Sequence, residues 1–436
     1  MYMLYSALLA AGLLISLPYW MFGKRRHGKY REGLNERLGR VPSRLQGHIG
    51  PAIWVHSVSV GEVLAVGELV GKLRRRFPGY RVMVSTTTAT GQKLAKERFG
   101  EESVFYFPLD FGFAIQPYLT TLKPQLIVIA ETEFWPNFLR LARNSGARIA
   151  VVNARISDRS WPGYRRVRRI GILAAVLRNV NLFLAQSEED ARRLLDIGAP
   201  GERVQVSGNL KFDVAAPAPP AIVASLRSVF QQAGAGPVIV CGSTVEEEEG
   251  LLLLAFQNVL ASHPRAVMIL APRHPERFGE VAQLLEHMGI SYWRRSLWGG
   301  DSIAGGVFLV DTIGELASLY ALGDVAFVGG SLVPRGGHNI IEPAQHGVPI
   351  IVGNHTENFR DIVGLFQSQD AVRVVGPAEF PLVLMELLSH EAERLALGRR
   401  GAETLRSQMG ATEKTAKALQ KLLESTSDAD RVGAGL

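Results

Sequence analysis

One cysteine, Cys241, is all that 436 residues contain, and it lies inside the apolar run "PVIVCGS". An intramolecular disulfide and a cysteine-based zinc site are therefore excluded. A Walker A loop, a G-x-G-x-x-G after the first strand, a G-x-S-x-G elbow and a His-x-x-x-His pair are also missing. Their absence argues against a P-loop NTPase and an α/β-hydrolase, and gives a standard NAD enzyme little support. No helix-turn-helix, zinc-finger, RRM or KH signature accompanies the basic residues, so nucleic acid is not the expected partner. Charged residues make up only 20% of the chain against 47% hydrophobic, a composition that folds. Its length exceeds one ordinary core and suits two domains.

The charge that is present is unevenly placed. Residues 1–213 carry 31 Lys and Arg against 17 Asp and Glu, whereas the remainder carries 17 against 24. A basic first half and an acidic second half point to different partners, with an anionic membrane surface or anionic substrate expected for the first. The first 23 residues, "MYMLYSALLAAGLLISLPYWMFG", hold no charge, and "KRRHGKYR" follows at once. The stretch is near the ~20 residues that cross a bilayer core, and the positive flank places the bulk of the chain in the cytoplasm. Residues 1–23 are thus expected to be a membrane-anchor helix, with a buried helix of a soluble protein as the alternative. No A-x-A-like cleavage site marks a signal peptide.

From about residue 50, short apolar runs alternate with amphipathic stretches. "AIWVHSV", "YRVMVSTT", "LIVIAE" and "RIAVVNA" read as strands, and "GEVLAVGELVGKLRRRF", "ATGQKLAKERF" and "FLRLARNSG" as the helices between them. Such alternation predicts βαβ units and a parallel sheet. The Pro- and Ala-rich segment 214–222, "VAAPAPPAI", interrupts it as a stiff linker. The pattern then restarts with "PVIVCGS", "AVMILAP", "VFLVDT", "VAFVGGS" and "VPIIVGN". The fold class is accordingly α/β, with two Rossmann-like doubly wound domains over 24–213 and 223–425 and a flexible tail over 426–436. Ligands in such sheets bind outside the carboxyl ends of strands, and a cleft between the two halves is the expected site.

Every motif with chemical potential falls at such an end. "HSVSVGEVLA" puts Glu62 at a helix start after a strand, where it is either a general base or a dipole-favoured residue behind an N-cap Ser59. "IVIAETEFWPN" brings Glu131 and Glu133 out of an apolar strand, which is costly unless they are paired. "SGNLKFD" supplies Lys211. In the second half, Pro272, Arg273, His274 and Arg277 end a strand in a form suited to phosphate or carboxylate. Thr312 to Glu315 stand at a strand-to-helix junction that fits either phosphate or a capping box. The segment "RGGHNIIEPAQHG" holds Arg335, Gly336, Gly337, His338, Asn339 and Glu342. Its glycines allow close backbone approach, its cations can offset phosphate, and Glu342 can accept from ribose hydroxyls. His346 reads as structural, and the run Glu246–Glu249 as a solvated first helical turn. "RSWPGYRRVRR" mixes Trp161 and Tyr164 with Arg165, Arg166, Arg168 and Arg169 and suits an anionic lipid surface.

Taken in order, "HSVSVGE", "IAETEFWPN", "NARISDRS", "SGNLKFD", "PRHPERF", "DTIGEL", "FVGGSLVPRGGHNIIEPAQHGVP" and "HTENFRDI" resemble the Kdo (3-deoxy-D-manno-octulosonic acid) transferases that act on lipid A in Gram-negative bacteria. The resemblance runs from the N-terminal segment to about residue 370. It implies a GT-B glycosyltransferase fold on the cytoplasmic side of the inner membrane, among its phospholipids. It also implies CMP-Kdo as donor, a lipid A precursor as acceptor, and inverting transfer in one displacement with neither metal nor cofactor. By matching motif, Glu62 would deprotonate the acceptor hydroxyl, while Glu131 and Lys211 would stabilise the transition state. CMP would be held by Pro272 and Arg273, by Ile313, Gly314 and Glu315, and by Gly337, His338, Asn339, Ile340, Ile341 and Glu342. A soluble sugar-nucleotide epimerase of the same architecture is the alternative.

Overall fold

The computed structural model describes residues 1–22, 33–47, 50–157, 160–168, 171–213 and 221–433, except for the side chains of 16–22, 167–168 and 425–433. The basic stretch 24–31, Arg169 and most of the Pro-rich linker lie outside the described residues, as do the side chains of Pro18, Tyr19, Trp20 and Arg168. Two compact units emerge, one of residues 1–214 with 408–436 and one of residues 215–407.

The first unit is built on seven strands: β1 (Ala52–His56), β2 (Arg81–Thr86), β3 (Val104–Tyr106), β4 (Pro124–Ala130), β5 (Arg148–Ala154), β6 (Leu182–Ala185) and β7 (Val204–Val206). Their order is β3-β2-β1-β4-β5-β6-β7, and every neighbouring pair is parallel. β1 is buried throughout, as a strand covered on both faces must be. Its Ala52 and Trp54 join one apolar cluster with Phe105 and Phe138, and its Ile53 and Val55 join another with Val63 and Leu69.

The second unit repeats the plan with β8 (Val238–Thr244), β9 (Val267–Pro272), β10 (Tyr292–Arg294), β11 (Gly306–Leu309), β12 (Val325–Val328), β13 (Ile350–Gly353) and β14 (Arg373–Val375). Here the order is β10-β11-β9-β8-β12-β13-β14, again all parallel. Both sheets reverse direction of growth at their first strand, between β1 and β4 and between β8 and β12. That reversal is the switch point where Rossmann-like sheets hold ligands.

Two expectations are corrected at the termini. A helix does form over Tyr2–Phe22, but among the described residues no helix is long and apolar enough to cross a membrane. Its first turns dock on the first unit through a polar stripe. Asn137 Nδ2 donates to Ser6 Oγ at 2.9 Å, Tyr5 bonds Asp110, and Arg140 lies 4.5 Å from the Tyr2 ring centroid. At the other end, the helix Ala411–Gly433 does not belong to the second unit, and it continues through most of the expected tail. Asp213 accepts from the backbone N–H groups of Gly410 and Thr412 and so holds its first turn. Glu413 pairs with Lys72 at 2.7 Å and Arg76 at 2.9 Å. Ala416, Leu419 and Leu423 complete the cluster around Val66 and Leu69. An amphipathic helix goes where an uncovered apolar face exists, and the first sheet supplies one.

Leu419 is fully buried there. Leu419→Ala is expected to lower stability by about 3 kcal/mol in chemical unfolding; a loss indistinguishable from zero would remove this helix from the core of the first unit.

Candidate active site

In the first unit, three carboxylates and a lysine gather at the carboxyl ends of β1 and β4. Glu62 sits in the first turn of the helix Val60–Arg76 and is only 8% exposed. Its Oε2 accepts from Val58 N at 2.7 Å and its Oε1 from Ser59 Oγ at 3.0 Å. Ser59 therefore donates to Glu62 and does not cap the helix with its side chain. Burial pushes the Glu62 carboxyl up to about 7, the two hydrogen bonds oppose that rise, and the nearby Glu131 and Glu133 add to it. A carboxyl balanced near neutrality can take a proton and release it again.

Glu131 leaves β4 with a positive φ of 57°, a conformation in which a non-glycine residue is strained. Its N–H donates to Val152 O at 2.9 Å, and Lys211 Nζ stands 3.6 Å from its Oε1. Lys211 is placed by a short 3-10 turn, Leu210–Asp213. The buried Asn153 Oδ1 accepts from Leu210 N at 2.9 Å, and Asn209 Oδ1 accepts from Lys211 N at 3.0 Å. Lys211 is thus a fixed partner of Glu131 and not a solvated lysine. Glu133 is pushed up by its burial and by Glu131.

His56, the last residue of β1, belongs to this neighbourhood although no motif singles it out. It is fully buried, stacked on Phe107 at 3.9 Å, with Nδ1 2.9 Å from Ser85 Oγ. Burial pushes it down to about 3, so it is neutral at physiological pH. A single histidine in an apolar strand gives no signal in sequence. Trp161 and Tyr164 pack against the core, with the Arg193 guanidinium 5.6 Å from the Trp161 ring, while Arg165 and Arg166 remain exposed.

In the second unit, the corresponding strand ends carry the other motifs. Pro272 ends β9, and Arg273 N donates to Thr244 O at 2.8 Å while its side chain is exposed. The Arg273 charge reaches both His338 and Glu342 and lowers the pKa of each. His338 is pushed down to about 4, by burial first and then by Arg273 and His274. Burial raises Glu342, and Asn339 Nδ2, donating to its Oε1 at 3.3 Å, offsets part of that. Asn339 Oδ1 accepts from Ile341 N at 3.1 Å and so shapes the approach to the short helix Ile341–Gln345. Ile340 and Ile341 are buried.

Gly336 and Gly337 do adopt positive φ, of 86° and 73°, but the room they leave is filled by the protein. A Cβ on Gly336 would lie 2.4 Å from Asn358 Nδ2, and one on Gly337 3.0 Å from His355 O. Their freedom serves close packing of the loop against the segment after β13. The junction at Ile313–Glu315 is held separately. Arg295 grips the Glu315 carboxylate with Nη2 at 2.8 Å and Nε at 3.1 Å, and Thr312 Oγ1 donates to the same carboxylate. Thr312 is not an N-cap, and Ile313 is 71% exposed beside Gly314, whose φ is 93°. His346 Nε2 lies 2.9 Å from Ala317 O, a structural contact as read. The run Glu246–Glu249 departs from the sequence reading, because Glu248 and Glu249 are buried and bonded. Among the described residues no cluster of three or more acidic, histidine or cysteine side chains could hold a metal ion.

The profile of a family described as 3-deoxy-D-manno-octulosonic-acid transferase (kdotransferase) matches residues 32–214. A 3-deoxy-D-manno-octulosonic acid transferase of Bordetella pertussis is 36% identical over 94% of this chain and 96% of its own. The enzyme of the same name from Haemophilus influenzae is 34% identical over 91% of this chain and 92% of its own. Among solved structures, a UDP-GlcNAc 2-epimerase of Neisseria meningitidis bound to UDP-GlcNAc superposes with a TM-score of 0.52 over 86% of this chain and 100% of that one. At 13% identity that likeness shows the fold alone. By sequence over nearly its whole length, the chain belongs to the 3-deoxy-D-manno-octulosonic acid transferase family.

Proposed function

We propose that this protein is a GT-B-class inverting glycosyltransferase. It moves 3-deoxy-D-manno-octulosonic acid from CMP-Kdo to a lipid A precursor, with Glu62 as the general base. The observation that carries the assignment is the state of Glu62: nearly buried, oriented by Val58 N and Ser59 Oγ, and held near pH 7. An acceptor hydroxyl loses its proton as it attacks, and a carboxylate raised in this way is a stronger base for that proton than an ordinary one. The Lys211–Glu131 pair supplies a fixed charge arrangement in the same unit, suited to the charge that develops during displacement. In the second unit, Pro272 and Arg273, the Ile313–Glu315 turn and residues Gly337 to Glu342 hold the donor. Arg273 there faces phosphate, and Glu342 the ribose hydroxyls. The chemistry is carried by these side chains without a resident cofactor.

An acylated acceptor is met at a membrane, and the helix Tyr2–Phe22 supports such a location at the cytoplasmic face of the inner membrane. While Tyr2, Tyr5 and Ser6 dock on the protein, Met3, Leu4, Leu8, Leu14 and Ile15 are exposed by 63–89%. Exposed apolar side chains of this size can enter the acyl boundary of a membrane, with binding that grows with the apolar area buried. The epimerase alternative shares only the fold, whereas the transferase relatives share a third of the residues.

Mass spectrometry of a tetraacylated lipid A precursor incubated with the protein and CMP-Kdo should show a gain of whole Kdo units. No gain from a folded, CMP-binding protein would refute the assignment. Glu62→Gln should lower kcat by about 100-fold or more while CMP affinity stays unchanged. The pH dependence has a fixed sign. Folding raises Glu62 from 4.5 to about 7, so its contribution to stability is fully present below about 4.5 and is lost as pH rises through 7. Wild type should accordingly lose stability relative to Glu62→Gln between pH 5 and 8, and its kcat/KM should rise over the same window. Equal pH profiles for the two proteins would place the titration elsewhere. Leu4→Asp with Leu8→Asp should reduce flotation with anionic phospholipid vesicles without lowering the melting temperature.

A further inference from the structure

The helix Glu248–Ser262 opens with two glutamates that point inward, 0% and 1% exposed. Glu248 receives four backbone N–H groups. Oε2 accepts from Gly330 at 2.7 Å and Val245 at 3.2 Å, and Oε1 from Ser331 and Leu332, each at 2.8 Å. An ionised carboxylate has about four acceptor sites, so this one is saturated. Three successive amides of the turn after β12 thus enclose an anion that the protein itself supplies.

The remainder of the donor loop is built from that turn. Gly337 N donates to Gly330 O at 2.7 Å, and Ser331 Oγ donates to Val328 O at 2.6 Å while accepting from Gly353 N at 2.8 Å. Gly330 has a φ of 70° and brings its Cα so close to His338 that a Cβ would lie 2.9 Å from Nε2. Glu249 acts on a different segment: its carboxylate holds Arg277 at 3.1 Å and accepts from Thr244 Oγ1 at 3.2 Å. Arg277 belongs to the same strand-end motif as Arg273. Adjacent residues of one helix therefore anchor both segments, whose side chains meet where Arg273 influences His338 and Glu342.

We propose that Glu248 is the positioning residue of the donor site: it fixes the 330–332 turn, and through it His338 to Glu342, in the geometry that receives the nucleotide, while Glu249 sets the Arg277 segment. The inference rests on the assignment of 338–342 to the donor. A neutral amide cannot replace the carboxylate. Whichever way a Gln side chain is turned, its NH2 group opposes two N–H donors, because each oxygen of Glu248 accepts two. An Asp is one methylene too short to reach the same turn.

The test is Glu248→Gln in the full chain, with donor KM, kcat and the Kd for CMP measured beside Asn339→Ala. Glu248→Gln should raise KM for CMP-Kdo and Kd for CMP by about tenfold or more, with kcat at saturating donor little changed. Partial unfolding alone would lower kcat and leave KM where it was, so a fall in kcat at constant KM and Kd overturns the proposal. If Asn339→Ala also leaves CMP binding intact, the donor-site assignment itself fails. If only Asn339→Ala weakens binding, Glu248 alone loses its role. Should Glu248→Gln not fold, amide hydrogen exchange of wild-type residues 330–332 decides. Slow exchange with and without CMP supports a turn preset by Glu248, and protection that arises only with CMP refutes it.

Discussion

All fourteen strands of the two sheets run parallel to their neighbours, and the chemistry of the protein follows from that. A parallel sheet ends every strand of a unit on one side, so the loops that follow them share one rim. The order reverses at β1 and β4 in one unit and at β8 and β12 in the other, which parts the rim loops there. Glu62 follows β1 and Glu131 follows β4, while the Glu248 helix follows β8 and the His338 loop follows β12. The same geometry forces a cost. Residues at the rim stand over a packed apolar sheet, and a polar group there loses water unless it finds a partner. Glu62, Glu131, Asn153 and Glu248 each find one in a backbone N–H or a neighbouring side chain.

That requirement also separates two carboxylates of like chemistry. Glu62 is nearly enclosed, and desolvation pushes it toward neutrality. Glu131 keeps Lys211 at 3.6 Å, so a fixed positive charge offsets its own. In the proposed reaction the first would exchange a proton and the second would hold its charge beside the lysine. Lys211 stands beside Glu131 because Asn153 and Asn209 fix the backbone around it.

The architecture was legible in the sequence where elements are long. "AIWVHSV", "LIVIAE" and "VPIIVGN" lie on β1, β4 and β13, because a strand buried on both faces leaves a continuous apolar run. The three-residue strands β3, β7, β10 and β14 are too short to show any period, so in the second sheet β8, β9, β11, β12 and β13 were legible and β10 and β14 were not. The helix Ala411–Gly433 shows an apolar stripe in sequence, yet a stripe does not say which sheet it covers. Glu248 illustrates the deeper limit. Four consecutive glutamates look solvated, yet Glu248 is held by a turn 82 to 84 residues further on and Glu249 by Arg277, 28 residues on. His56 is hidden for the same reason, since its partners are Ser85 of β2 and Phe107 just beyond β3.

Backbone strain repeats this distribution. Of the described non-glycine residues with positive φ, Glu131, Asn153, Ser243 and Glu247 all lie at the carboxyl ends of strands or in the turn that follows. The other two, Lys123 and Asp370, sit where helices end, a common place for that conformation. Each strained residue costs on the order of 1–3 kcal/mol and persists only where its surroundings hold it. At Glu131 the holding contacts are the bond to Val152 O and the ion pair with Lys211. At Asn153 the side chain fixes the turn that delivers that lysine. Strain at Glu131 and Asn153 and the ion pair of Glu131 with Lys211 are therefore one arrangement. A glycine at either position would relieve the backbone, but it would also remove the side chain that the strained backbone aims.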